Sequence, residues 1–177
     1  MHTVRLAREH DIPELERLIP LSVRGLQASH YSAEQMDAAI GSVFGVDRQL
    51  IRDGTYFVVE QTNELIGCGG WSKRKTLFGS DHHQATRDDA ELDPRLDAAR
   101  IRAFFVHPDH ARRGVGRAIV EACETAIRAA GFKRIELAAT LPGEAFYQAC
   151  GYRSGAEEEV PLPNGLTIGI VHMDKAL

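Results

Sequence analysis

The chain lacks most of the features that mark specialised environments. Its three cysteines, Cys68, Cys123 and Cys150, are odd in number and widely spaced, with no Cys-x-x-Cys pair, which argues against a disulfide framework or a cysteine zinc site. No apolar run approaches the roughly 20 residues that cross a bilayer, and the first residues show no basic segment followed by an apolar core, so a cytoplasmic protein is expected. Positive charge is not in excess. The 21 Lys and Arg against 25 Asp and Glu leave a formal charge of -4, which argues against nucleic acid as the main partner. A His-Glu-x-x-His pattern is missing, so His82-His83 and His107-x-x-His110 read as solvated loop histidines and no metal is expected.

What is present fits an ordinary globular domain. With 44% hydrophobic and 26% charged residues, the 177 residues suffice for one real core, and residues 1-177 read as one domain without repeat, linker or low-complexity tract. Thr3 to Ala7 alternates like a strand, and Asp11, Pro13 and Glu14 mark a helix start with Ile12, Leu15, Leu18 and Ile19 on one face. Ser32 and Gln35 form a capping box for a second helix. Thr55–Glu60 and Leu65–Trp71 read as a hairpin about a turn at Gln61 to Glu64, with Gly69 and Gly70 predicting a bulge or a close approach by a ligand.

Residues 73–98 look irregular, basic at first and acidic from Asp88 to Asp97, as in functional lids or solvated faces. A strand from Ile101 to Val106 then ends at Pro108. Ile119, Cys123, Ala126, Ile127 and Ala130 give the clearest helix, capped by Gly131. The spacing predicts a strand over Ile135 to Ala139, a short helix from Glu144 to Cys150 closed by Gly151, and a closing hairpin at Asn164-Gly165. The order is that of a mixed α/β domain rather than an alternating βαβ array.

Chemistry concentrates at His107-Pro-Asp-His-Ala-Arg-Arg-Gly-Val-Gly-Arg-Ala118, which joins the Ile101 strand to the long helix. Glycines permit a tight turn that brings successive N–H groups together, and a helix N-terminus adds unpaired N–H groups and a positive dipole end. Arg112, Arg113 and Arg117 contribute full charges, so a diphosphate is the natural guest. The segment is not a Walker A loop, because no Gly-Lys-Ser/Thr follows, and it lacks the third glycine of a dinucleotide fingerprint.

This segment resembles motif A of the Gcn5-related N-acetyltransferase (GNAT) superfamily, Gln/Arg-x-x-Gly-x-Gly/Ala, with Gly114 and Gly116 at the glycine positions and Ala111 in place of Gln/Arg. Ala145-Phe-Tyr-Gln-Ala-Cys-Gly-Tyr152 resembles the family's motif B. The resemblance implies a mixed, mostly antiparallel central sheet, splayed at an acyl-CoA cleft and flanked by helices. It implies acetyl-CoA as cosubstrate, bound by Phe104, Phe105, Val106, Arg112, Arg113, Gly114, Val115, Gly116, Arg117 and Ala118. The backbone of Phe104 to Val106 would line pantetheine, with the Phe104 N–H nearest the thioester oxygen as a small oxyanion hole.

Tyr147 matches the family tyrosine that protonates the departing thiolate. The glutamate that many relatives use as base has Arg100 at its position, leaving Asp93, Asp97, a histidine or a water chain as replacements. Tyr31 and Trp71 are expected walls of the acceptor pocket or core residues. The implied activity is direct acetyl transfer to a small-molecule, peptide or protein amine, and homodimers occur among related proteins. A non-catalytic acyl-CoA-binding module and a nucleotide-dependent transferase are the competing readings.

Overall fold

A computed structural model of the chain describes residues 1–79 and 88–177. The elements run β1 (Thr3–Leu6), α1 (Ile12–Leu26), α2 (Ala33–Ala39), α3 (Arg48–Arg52), β2 (Tyr56–Gln61), β3 (Glu64–Ser72) and β4 (Ala99–Val106), then α4 (Val115–Ala129), β5 (Arg134–Thr140), α5 (Glu144–Ala149), β6 (Arg153–Pro161) and β7 (Thr167–Ala176). The strands form one seven-stranded sheet in the order β1-β2-β3-β4-β5-β7-β6. All neighbours are antiparallel except β4 and β5, so the expected mixed, mostly antiparallel sheet is the one observed.

Local chemistry explains most boundaries. Ser32 Oγ accepts the Gln35 N–H at 3.1 Å while Gln35 Oε1 accepts the Ser32 N–H at 2.8 Å, the reciprocal box that starts α2. Thr62 and Asn63 both have positive φ, 52° and 63°, which gives the β2–β3 turn the twist of its strands. Gly131 and Gly151, at φ 91° and 89°, end α4 and α5.

The helix start read at Asp11, Pro13 and Glu14 is where α1 begins, with Asp11 as its N-cap residue. The buried Asp11 carboxylate takes the two terminal Arg5 guanidinium nitrogens at 2.9 Å, while Glu14 reaches across to the Leu65 N–H at 2.7 Å. Three helices lie between β1 and β2 rather than two, because Asp47 caps the short α3 through the Leu50 N–H. The closing hairpin turns at Asn164-Gly165 as read, in a loop tied by Leu162 N–H to Leu166 C=O at 2.8 Å. The stretch after β3, read as irregular, contains a paired stem: Arg74 bridges Glu91 antiparallel, and Lys75 and Thr76 donate N–H groups to Ala90 and Asp88.

The sheet carries a core on each face. On one side α1, α2 and α3 cover Val58, Phe105, Ile168 and Ile170; on the other, α4 and α5 cover Ile101, Ile135, Leu137, Val171 and Met173. Ile119, Cys123 and Ile127 of α4 are fully buried, each isoleucine contributing about 1.5–3 kcal/mol on transfer from water. One ion pair is sealed in the first core: Arg102 and Asp47, 1% and 0% exposed, meet at 2.9 Å. Among the described residues no helix is long and apolar enough to cross a membrane.

Candidate active site

The cleft arises where β4 and β5 part. They pair over only three rungs, Ala99–Ile101 against Ile135–Leu137, although β4 continues to Val106 and β5 to Thr140. A bulge turns β4 away: between the pairs Gly70–Arg102 and Cys68–Phe105, β3 supplies Gly69 alone where β4 supplies Ala103 and Phe104. Ala103 holds φ 56°, a left-handed conformation costing an L-residue about 1–2 kcal/mol. Its carbonyl accepts the Tyr56 hydroxyl at 2.8 Å, which helps to fix the bulge.

The β3 glycines serve this bulge. A Cβ on Gly69 would fall 2.5 Å from Phe104 Cδ2, and one on Gly70 would fall 2.7 Å from the Thr55 carbonyl oxygen. The close approach that these glycines predict is therefore made by the protein's own Phe104 and Thr55.

Above the cleft, the turn into α4 is left-handed at Arg112 (φ 60°) and Gly114 (φ 85°). Gly114 is the N-cap, exposed, with nothing within 4 Å of where its Cβ would lie. The N–H groups of Val115, Gly116 and Arg117 precede the first helical rung and face no i−4 carbonyl in the helix. The Ala118 N–H, expected as a ligand group, instead donates to Gly114 C=O at 3.0 Å as the first rung of α4. Arg112, Arg113 and Arg117 are exposed and have no carboxylate partner among the described residues. The Val115 side chain is buried, packed so tightly on β3 that a Cβ on Gly67 would lie 2.6 Å from its Cγ1. This end of the helix offers donors, a dipole and charge around open space, which is what a diphosphate requires.

Motif B sits directly beneath. Phe104 is half-buried, its ring 5.9 Å from that of Phe146 and 5.8 Å from that of Tyr147. Tyr147 is 8% exposed, and burial pushes its hydroxyl well above the usual phenol value. Three of the tyrosines spend their hydroxyls on protein partners: Tyr31 on Gly169 C=O, Tyr56 on Ala103 C=O, Tyr152 on Glu124. Tyr147 alone has no hydrogen-bond partner among the described residues.

The other expected site residues are placed as follows. Phe105 points its ring into the core, edge-on to Phe44 at 6.0 Å. The Val106 N–H, expected to be open along the strand edge, donates to Ser22 Oγ at 3.1 Å. Ser22 was missed by sequence reasoning, yet a hydroxyl on the apolar stripe Leu15, Leu18, Ile19 was the available signal.

Arg100 faces Glu136 across the parallel strands and donates to it. Asp93 is held by Arg95, whose hydrogen bonds and charge pull its carboxyl down to about 2, making it a weak base. Asp97 accepts the Asp93 N–H at 2.7 Å. Tyr31 is a core pin, 4% exposed, its oxygen also accepting the Leu141 N–H at 2.9 Å. Trp71 is 6% exposed and packs edge-on to Phe132 on the α4 side. His107 and His110 stack edge to face at 5.5 Å; His82 and His83 lie outside the described residues. No group of three metal-binding side chains occurs among the described residues.

The family model described as Acetyltransferase (GNAT) family matches residues 22–152, about three quarters of the chain. The chain belongs to the GNAT acetyltransferase family. Among solved structures, it is similar to a GCN5-related N-acetyltransferase from Rhodopseudomonas palustris at 21% identity and TM-score 0.72, over 99% of this chain and 95% of that one. It is similar to the PaiA N-acetyltransferase from Thermoplasma acidophilum, solved with coenzyme A, at 14% identity and TM-score 0.66, over 100% and 99% of the two chains. The ribosomal-protein-S18-alanine N-acetyltransferase from Escherichia coli aligns at 16% identity and TM-score 0.59, over 99% and 94%. No curated protein matches the chain. These likenesses concern the fold, and the family match makes the chain an acetyltransferase.

Proposed function

We propose that this GNAT acetyltransferase moves the acetyl group of acetyl-CoA to a primary amine by direct attack, both substrates being bound at once. One conjunction carries the reading: β4 and β5 part beside the open N-terminus of α4, and against Phe104 of β4 packs Tyr147, the one tyrosine whose hydroxyl has no hydrogen-bond partner among the described residues.

The N–H groups of Val115, Gly116 and Arg117, with Gly114 leaving room and Arg112 and Arg113 adding charge, would hold the diphosphate. Phe104 has no register partner on β3 or β5, so its N–H is the backbone donor suited to the thioester oxygen. Acetyl-CoA supplies an acyl group already joined to a thiol leaving group. Tyr147 stays protonated throughout the working pH range because burial raises it. A thiol ordinarily titrates near 8.5, so full proton transfer from so weak an acid is uphill. Tyr147 therefore acts first as a hydrogen-bond donor to the sulfur and completes the transfer as the C–S bond breaks.

Thiol release from acetyl-CoA upon addition of primary amines tests the reading. Release that depends on the amine, and falls at least tenfold in Tyr147→Phe, is expected. Binding of acetyl-CoA with no release for any amine would leave a non-catalytic module.

A further inference from the structure

On the face of the sheet that carries α1 and α2, the halves of β5 and β7 farthest from those helices lie under an open groove of about 330 Å³, the size of a small-ligand site. Register fixes its floor. Arg100, Glu136, Asp174 and Arg153 pair in turn across β4, β5, β7 and β6, so one rung carries two carboxylates directly opposite each other between two arginines. Like charges facing across strands are unfavourable. Glu136 gives Oε2 to Arg100 and Asp174 gives Oδ2 to Arg153, while Oε1 and Oδ1 have no hydrogen-bond partner among the described residues.

The next rung toward the cleft pairs Ala138 with His172, and Ala138 is the first β5 residue past the last rung with β4. His172 Nε2 lies 2.6 Å from Glu158 Oε2. With a carboxylate as partner, Nε2 carries the hydrogen and Nδ1 the lone pair of a base. Rungs on one face are roughly 7 Å apart, so the His172 rung is the next one on this face to the carboxylate pair.

We propose that this groove is the acceptor site, that Glu136 and Asp174 bind the ammonium of a small aliphatic primary amine, and that His172 accepts its proton. The assignment rests on the acetyl-CoA reading of the cleft. The opposite face is closed by α4 and α5, which leaves this one for the amine. The ammonium gives one proton to His172 Nδ1, which passes it to solvent. The nitrogen lone pair bonds to the thioester carbon, the C–S bond breaks, and the second proton lost by nitrogen balances the one that sulfur takes up. The charged groups that set the pH response here are Glu136, Asp174, Glu158, Arg134, Arg100 and Arg153.

The test uses n-propylamine and ethanolamine as probes, with aniline for contrast. His172→Gln is expected to lower kcat about 10²–10⁴-fold and to remove the acidic limb of the pH profile. Glu136→Gln with Asp174→Asn is expected to raise the amine KM at least tenfold, with the Kd for acetyl-CoA unchanged in each variant. Arg24→Gln removes an exposed ion pair, with Asp37 of α2, that is no part of the groove, and is expected to leave the amine KM within twofold. In wild-type protein saturated with CoA, n-propylamine is expected to shift the His172 imidazole resonances.

An unchanged pH limb in His172→Gln, an equal KM rise in Arg24→Gln, or preferred turnover of aniline would overturn the assignment. If wild type binds acetyl-CoA but turns over neither aliphatic amine, the groove assignment falls and the cofactor reading stands; if it does not bind acetyl-CoA, both fall.

Discussion

Gly116 and Phe146 interlock: a Cβ on Gly116 would lie 3.0 Å from Phe146 Cζ. The second motif A glycine thus makes room for motif B, joining the first turn of α4 to the helix that carries Tyr147. Gly116→Val forces the Phe146 ring aside, and overpacking of this kind costs about 1–3 kcal/mol. A fall in Tm of several degrees is expected, together with loss of activity as Tyr147 moves with α5. Calorimetry and thiol-release assays check both.

Tyr31 and Tyr147 are both buried tyrosines, but their phenylalanine variants should behave oppositely. Tyr31→Phe strands Gly169 C=O and the Leu141 N–H, at a cost of about 1–3 kcal/mol for the orphaned groups. Tyr147→Phe removes a hydroxyl with no hydrogen-bond partner among the described residues, so stability is expected to hold while kcat falls. Urea unfolding and steady-state kinetics on the two variants separate the roles.

Arg102 and Asp47 are sealed together, and the Arg102 guanidinium also donates to Thr76 C=O at 2.8 Å, tying the stem after β3 to the start of α3. Removing one partner of a buried pair leaves an uncompensated charge and costs about 3–5 kcal/mol. Arg102→Met is expected to lose that much in urea unfolding. The double variant Arg102→Met with Asp47→Leu should recover most of it.

The Asp11 carboxyl is held below its usual range, chiefly by its hydrogen bonds from Arg5 and then by the Arg8 N–H and the Arg5 charge, against the opposing effect of burial. A depressed folded value means that the contribution is complete above the unfolded value near 3.9 and is lost as pH falls through the folded value. Stability should therefore drop more steeply below about pH 4 in wild type than in Asp11→Asn. Denaturation midpoints measured between neutral and strongly acid pH check the difference.

Much of this was legible from residue order. The Ser32–Gln35 box, the Thr62-Asn63 turn and the Gly131 and Gly151 stops are local chemistry, and each occurs where the sequence places it. What stayed illegible depends on how the chain folds. Ala118 looks like a ligand group until Gly114 C=O takes its N–H as the first rung of α4. Val106 looks open until Ser22 arrives from α1, 84 residues earlier. The Glu136–Asp174 rung is equally invisible from one strand alone, since only the register of β5 with β7 makes the two carboxylates face.

The central claim is that the Gly114-capped entrance to α4 grips the diphosphate of acetyl-CoA, and thermal unfolding with acetyl-CoA, ATP or NAD, in wild type and Gly114→Glu, tests it most directly. Ligand at 100 times its Kd adds about 2.7 kcal/mol, or roughly 5–10 °C in a chain of this size. The expected result is that rise with acetyl-CoA alone, abolished by the added carboxylate. An unmoved Tm, an equal rise with ATP or NAD, or a rise that survives Gly114→Glu would contradict it.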